Sequence, residues 1–397
     1  MRRSLAAIGM VALLGLAACA PAEDAAAPSP PPTATAAPST APPVEPSATA
    51  SPDPPTAAER AAETVAAMST REKAASVVLG YAAGTDPQVL KAAVAHGFGG
   101  LILMGDNVPS APDALAEITT EIAEAADPPP LVAIDQEGGD VARIAWDEAA
   151  SARDLRGADA DEIEAAFAER GSVLAEAGIP VNFGIVADLP RSADSFIFSR
   201  AYGTDPQAVA QAVEAAVAGE SDRAFSTLKH FPGHGAAEGD SHSMIPSADL
   251  TLDEWRERDA VPFAAGVDAG AELVMMGHLR FGQIDELPAS LSPEWYRILR
   301  EDLGFDGVAV TDDLGMLLSS GEDAYTDPES NAVQSLAAGA DLVLTVVGST
   351  PETADRTAEA VMAAIEGGSL SAERLEEAAT RVMALRFEAA APADPGQ

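Results

Sequence analysis

The feature that most limits the fold is a set of eight short apolar runs, at 76–81, 100–104, 131–135, 180–186, 225–228, 272–276, 307–310 and 341–346. Each is too short for a core helix and is flanked by turn residues, as expected of strands buried on both faces. Between them lie Ala- and Glu-rich stretches with helical spacing, at 161–177, 207–218 and 252–269. Alternating strands and helices build a parallel sheet, and eight such units favour a single (β/α)8 barrel of the TIM type within the α/β class. A doubly wound open sheet is the competing arrangement, but no glycine-rich phosphate fingerprint follows the first run.

A barrel places its working residues just past the C-terminal ends of its strands. Polar residues fall there after five of the eight runs: Asp135, Asp188, Lys229 with His230, His278, and Asp312 with Asp313.

Outside 58–389, the span assigned to the barrel, the composition changes. Residues 1–18 carry Arg2 and Arg3, then an apolar run shorter than the ~20 residues of a spanning helix, then Leu16-Ala17-Ala18 before Cys19, the sole cysteine. This pattern resembles a bacterial lipoprotein signal, with Cys19 as the lipidation site and an extracytoplasmic, membrane-anchored protein as its consequence. Residues 19–57 are Ala, Pro, Ser and Thr with almost no large apolar side chain, and read as a disordered tether. The tail 390–397 reads as disordered too. A net charge of −40 excludes a nucleic-acid partner, which requires a basic face.

The chain holds five histidines, and His230, His234 and His242 fall close together. His230 and His234 have the spacing of two metal ligands on one helix face, but Pro232 and Gly233 between them disfavour helix. No metal is therefore expected, and no cofactor. Asp240 and His242 lie two apart in a Gly- and Ser-containing loop, where a carboxylate can orient an imidazole that gives and takes a proton. Asp312 and Asp313 point to opposite sides of an extended chain, so only one can face the barrel mouth. A carboxylate there can attack an anomeric carbon. The other suits a helix N-cap.

Several words together resemble glycoside hydrolase family 3, and within it the β-N-acetylglucosaminidases of the NagZ type. They are Ile134-Asp135-Gln136-Glu137-Gly138-Gly139 with Val141 and Arg143, Ser199-Arg200-Ala201-Tyr202-Gly203, the heptad Lys229 to Gly235, Asp240-Ser241-His242, and Gly304-Phe305-Asp306-Gly307 through Thr311-Asp312-Asp313-Leu314-Gly315-Met316. Met68 to Lys73 resembles the family's opening helix.

The resemblance implies a retaining exo-acting hydrolase that removes terminal N-acetylglucosamine from peptidoglycan-derived fragments. It implies Asp312 as nucleophile and His242 as acid/base with Asp240 as its orienting partner. It implies Asp135, Arg143, Arg200, Lys229 and His230 as the residues that hold the terminal sugar. A carbohydrate is the expected partner, and a monomer the expected state. Ala236 and Ala237 depart from the family's usual Asp-Thr, and the segment 194–199 is unusual. A family relative of β-glucosidase specificity and a non-catalytic carbohydrate-binding lipoprotein are the alternative readings. Glu137 and Glu238 are the alternative proton donors.

Overall fold

The computed structural model describes residues 55–391. The signal segment, Cys19, nearly all of the tether and residues 392–397 lie outside them. Eight parallel strands are present: β1 (Val78–Gly80), β2 (Gly100–Leu103), β3 (Leu131–Ile134), β4 (Val181–Val186), β5 (Phe225–Phe231), β6 (Leu273–Met276), β7 (Val308–Thr311) and β8 (Val343–Leu344). Their order around the sheet is β7-β6-β5-β4-β3-β2-β1-β8. A parallel bridge between Val310 and Leu342 joins the two end strands and closes the ring. The fold is thus a (β/α)8 barrel, and each of the eight apolar runs carries one of its strands.

Side-chain parity separates two cores. Leu131 and Ala133, Val181 and Phe183, Leu273 and Met275, and Val308 and Val310 belong to one buried cluster, with Val382 and Leu385 of the last helix packed into it. The intervening residues, such as Val132, Val274 and Ala309, pack in the other cluster, with side chains of the surrounding helices. Period-two alternation extends just past β3 and β7, so Asp135 and Asp312 continue the first set.

Two elements differ from the sequence expectation. The stretch 252–269 is two helices, Leu252–Glu257 and Ala260–Asp268, with Arg258 at the break. Pro262 explains it: the ring has no N–H to give the Arg258 carbonyl and would clash with it in a continuous helix. β5 also runs on to Phe231, so Lys229 and His230 belong to the strand rather than to the loop after it.

An aromatic cluster backs that strand. Phe231 packs edge-on against Trp255, Phe263 and Trp295, with ring centroids 5.7, 5.3 and 5.8 Å away. The Trp255 indole N–H donates to the Pro232 carbonyl at 2.8 Å, which fixes the bend after the strand. The N-terminal helix Ala57–Ala67 lies against the C-terminal helix Ala372–Ala389, with the Arg60 guanidinium 4.0 Å above the Phe387 ring.

Candidate active site

The loop after β3 turns on Gly138 and Gly139, with φ of +81° and +63°. A side chain at 138 would also meet the Arg170 guanidinium, 2.5 Å from an added Cβ. Gln136 holds the rest of the loop, its Oε1 accepting from the backbone N–H of Arg143 and Ile144. Arg170 anchors the loop from behind through a fully buried ion pair with Asp147, at 2.9 Å.

Charged groups interlock at the mouth. Lys229 donates to Asp135 at 2.9 Å and pairs with Glu137 at 2.6 Å. Arg200 grips Glu137 with two hydrogen bonds of 2.9 and 2.6 Å. Arg143 reaches Asp135 at 3.4 Å, and its own Nε is buried without a partner. Burial alone would push Asp135 and Glu137 up. The Lys229 ammonium together with Arg200, and Arg143 at Asp135, outweighs it and holds both carboxyls below their usual range. With both oxygens of Glu137 so engaged, this residue has no free position from which to move a proton.

His230 lies between Arg200, 3.3 Å from its Nε2, and Asp188, 2.7 Å from its Nδ1. A guanidinium can only donate, so Nε2 accepts and Nδ1–H donates to Asp188. Burial first, and Arg200 second, push this imidazole well below its ordinary pKa, which keeps it neutral. Asp188 also accepts from the backbone N–H of His230 and of His234. His234 faces Ser241, with Nε2 3.1 Å from the hydroxyl. Among the described residues, no group of three or more His, Cys, Asp or Glu side chains is arranged to hold a metal ion.

The two aspartates after β7 have opposite surroundings. Asp313 is buried, and accepts from the backbone N–H of Gly315, Val346 and Val347 at 2.9, 2.8 and 3.0 Å. Asp312 is half-buried, and its Oδ1 accepts only from the Asp313 N–H, at 2.8 Å. No protein group among the described residues donates to its Oδ2. Burial opposes ionisation of Asp312, but the polar groups around it, including the Asp313 N–H and the Lys229 ammonium, outweigh it and lower its pKa. His278 supports the pair from below: Ser290 lies 2.7 Å from its Nδ1, and its Nε2 donates to the Asp313 carbonyl at 2.9 Å.

His242 and Asp240 stand on the loop beyond β5, with Nδ1 to Oδ1 at 2.6 Å. Asp240 also accepts the His242 backbone N–H at 3.0 Å. Burial of Asp240 is outweighed by these two bonds, so its pKa is lowered. The dyad is open to water, its side chains 63% and 42% exposed. It is not in the interlocked cluster. The link is aromatic: the Phe196 ring lies 6.5 Å from His242 and 5.6 Å from His234, which in turn lies 5.9 Å from His230. Glu238 is exposed on the same loop, and Ala237 is buried.

The structure therefore brings Asp135, Arg143, Arg200, Lys229, His230 and Asp312 to one rim and holds His242 and Asp240 outside it. Sequence reasoning marked Asp188 and His278 only as polar strand ends, and Glu137 as part of a motif and an alternative proton donor. Phe196 falls in the unusual segment 194–199 but was not singled out itself.

Comparison with known proteins identifies the family and agrees with the fold. Residues 70–385 match the family described as Glycosyl hydrolase family 3 N terminal domain. A Beta-hexosaminidase of Stenotrophomonas maltophilia is 37% identical over 272 residues, which are 66% of this chain and 78% of that protein. A solved glycoside hydrolase family 3 beta-N-acetylglucosaminidase from a Paenibacillus species superposes with a TM-score of 0.76 at 30% identity, covering 83% of this chain and 65% of the longer one. The structure titled M tuberculosis LpqI superposes with a TM-score of 0.74 at 28% identity, covering 85% of this chain and 98% of that one.

Proposed function

This chain belongs to glycosyl hydrolase family 3, and on that premise we propose that it is a retaining exo-β-N-acetylglucosaminidase. The observation that carries the reading is the division of labour among the rim carboxylates. Asp135, Glu137, Asp188 and Asp313 are engaged by cations, a histidine ring or backbone amides, while Asp312 keeps an oxygen free and a lowered pKa. A carboxylate that is ionised and unengaged is what a nucleophile requires.

In the first step an Asp312 oxygen bonds to the anomeric carbon and the bond to the leaving oxygen breaks. His242, with Nδ1–H held by Asp240, delivers the proton from Nε2. In the second step water attacks the same carbon, His242 Nε2 takes its proton, and the bond to Asp312 breaks. Asp135, Arg143, Arg200, Lys229 and His230 offer charged donors and acceptors to the hydroxyls of the terminal sugar. The relatives' names support a hexosamine as that sugar. The signal-like start of the chain supports wall fragments as its source and a lipid anchor at Cys19. No helix among the described residues is long and apolar enough to cross a membrane. Incorporation of labelled fatty acid that is lost in Cys19→Ala tests the anchor.

The decisive experiment is to trap the intermediate with a fluorinated N-acetylglucosaminyl substrate and map the adduct by mass spectrometry. The adduct is expected on Asp312. An adduct on any other carboxylate overturns the assignment.

A further inference from the structure

Phe196 stands apart from the other large aromatic residues. Among the described residues it is the only Phe, Tyr or Trp side chain left exposed, at 43%, while its neighbour Ile197 is fully buried. Leaving this fraction of a phenylalanine side chain in water forgoes burial worth roughly 1 kcal/mol. The exposed face therefore requires a reason, and its position supplies one. The ring sits against His242, the residue assigned above to protonate the leaving oxygen.

The terminal sugar is gripped on the inner side of that oxygen, by the cluster around Lys229 and Asp135. Whatever is attached on the outer side must leave past His242, where the surface is open. Phe196 borders that passage: its ring centre lies 6.5 Å from that of His242 and 5.6 Å from that of buried His234, and the ring is partly exposed. Met244, two residues beyond His242, is also exposed, at 46%.

We propose that Phe196 is the platform for the leaving group, and that it selects aglycones that are themselves rings with an apolar face, such as a second pyranose. The C–H bonds on one face of a pyranose carry partial positive charge, and the face of a phenyl ring is negative. Stacked there, the leaving sugar is held with its linking oxygen at the imidazole. This rests on the proposed function, since it takes His242 as the proton donor, and it adds a specificity determinant to that reading.

The test compares one terminal sugar carried by two leaving groups: a disaccharide, and the corresponding glycosyl fluoride, whose departing fluoride offers no face to stack. Screening the wild type on several terminal sugars first identifies the sugar to use. A wrong terminal sugar then counts against the proposed function and leaves this comparison intact. In Phe196→Ala, the loss in kcat/KM on the disaccharide is expected to exceed any loss on the fluoride by about 3- to 10-fold. The difference should appear in KM, and Phe196→Tyr should restore it. Equal losses on both substrates would show that the ring only props the His242 loop and would overturn the proposal, as would an unchanged disaccharide KM.

Discussion

Asp312 and Asp313 are adjacent and chemically identical, yet their surroundings give them opposite work. Asp313 is an acceptor for three backbone amides, two of them on the segment after β8. Replacing its carboxylate by an amide would turn an N–H donor toward at least one of these amides. Asp313→Asn is therefore expected to lose about 3 kcal/mol of stability, read from urea denaturation. Asp312→Asn touches one local bond, and is expected to keep its denaturation midpoint while losing activity on a chromogenic substrate by about a thousand-fold or more. Equal midpoints for the two variants would refute this division. Its outline is legible in the sequence, because Asp312 shares the parity of Val308 and Val310 and Asp313 does not. The engagement of Glu137 and Asp188 is not legible, since their partners, Arg200, Lys229 and His230, lie on other strands or loops. Phe196 is less so still: its exposure depends on how the loop after β4 lies over the one after β5.

At the scale of elements, the strands were readable because a buried parallel strand is apolar along its whole length. The split of 252–269 shows what the same pattern hides, since helical spacing continues across a proline that ends the first helix. The last helix, Ala372–Ala389, gives another case. Its Arg374 and Arg381 converge with Arg300 on one fully buried carboxylate, Asp341, which also accepts the Ala309 N–H of β7 at 3.0 Å. No local pattern announces a carboxylate that joins four such distant groups. Removing one partner from a buried ionic group leaves the others uncompensated, so Asp341→Asn is expected to cost about 3 kcal/mol. Turnover at low temperature should survive, because the site lies at the opposite ends of the strands. A midpoint unchanged in urea would show that the helix is held by its apolar face alone.

For the molecule as a whole, two acids with raised pKa values shape the response to pH, Glu220 fully buried and Glu272 half-buried. Burial pushes Glu220 up to about 8 and Glu272 up to about 7. Glu220 contacts Asn182 and, at 2.8 Å, Ser226, whose backbone N–H donates to Glu272 at 2.8 Å. A carboxyl whose folded pKa is raised contributes stability that is complete below the unfolded value near 4.3 and is lost as pH rises through the folded one. Asp135, Glu137 and Asp312 act in the other direction: their lowered values stabilise above the ordinary range and fail as pH falls through the folded pKa. The protein is therefore expected to be most stable in mildly acidic solution and to lose on the order of 5 °C in Tm between pH 6 and 9. Glu220→Gln should flatten that slope in calorimetry, and a slope equal to the wild type's would exclude Glu220 as its source.

The ring of strands closes at β7 and β8, where backbone hydrogen bonds between 309–311 and 341–342 are joined, past the strand ends, by the Asp313 carboxylate. Chemically, the clasp and the proposed attacking group, Asp312, are neighbours on one chain. A polypeptide still emerging from the ribosome, folded through β7 but without β8, would carry Asp312 without the amides that hold the next residue in place. On the proposed assignment, competence to cut sugar is thus tied to the last strand's arrival, and a half-made chain has the residues proposed to grip the sugar but not the seat of the proposed nucleophile.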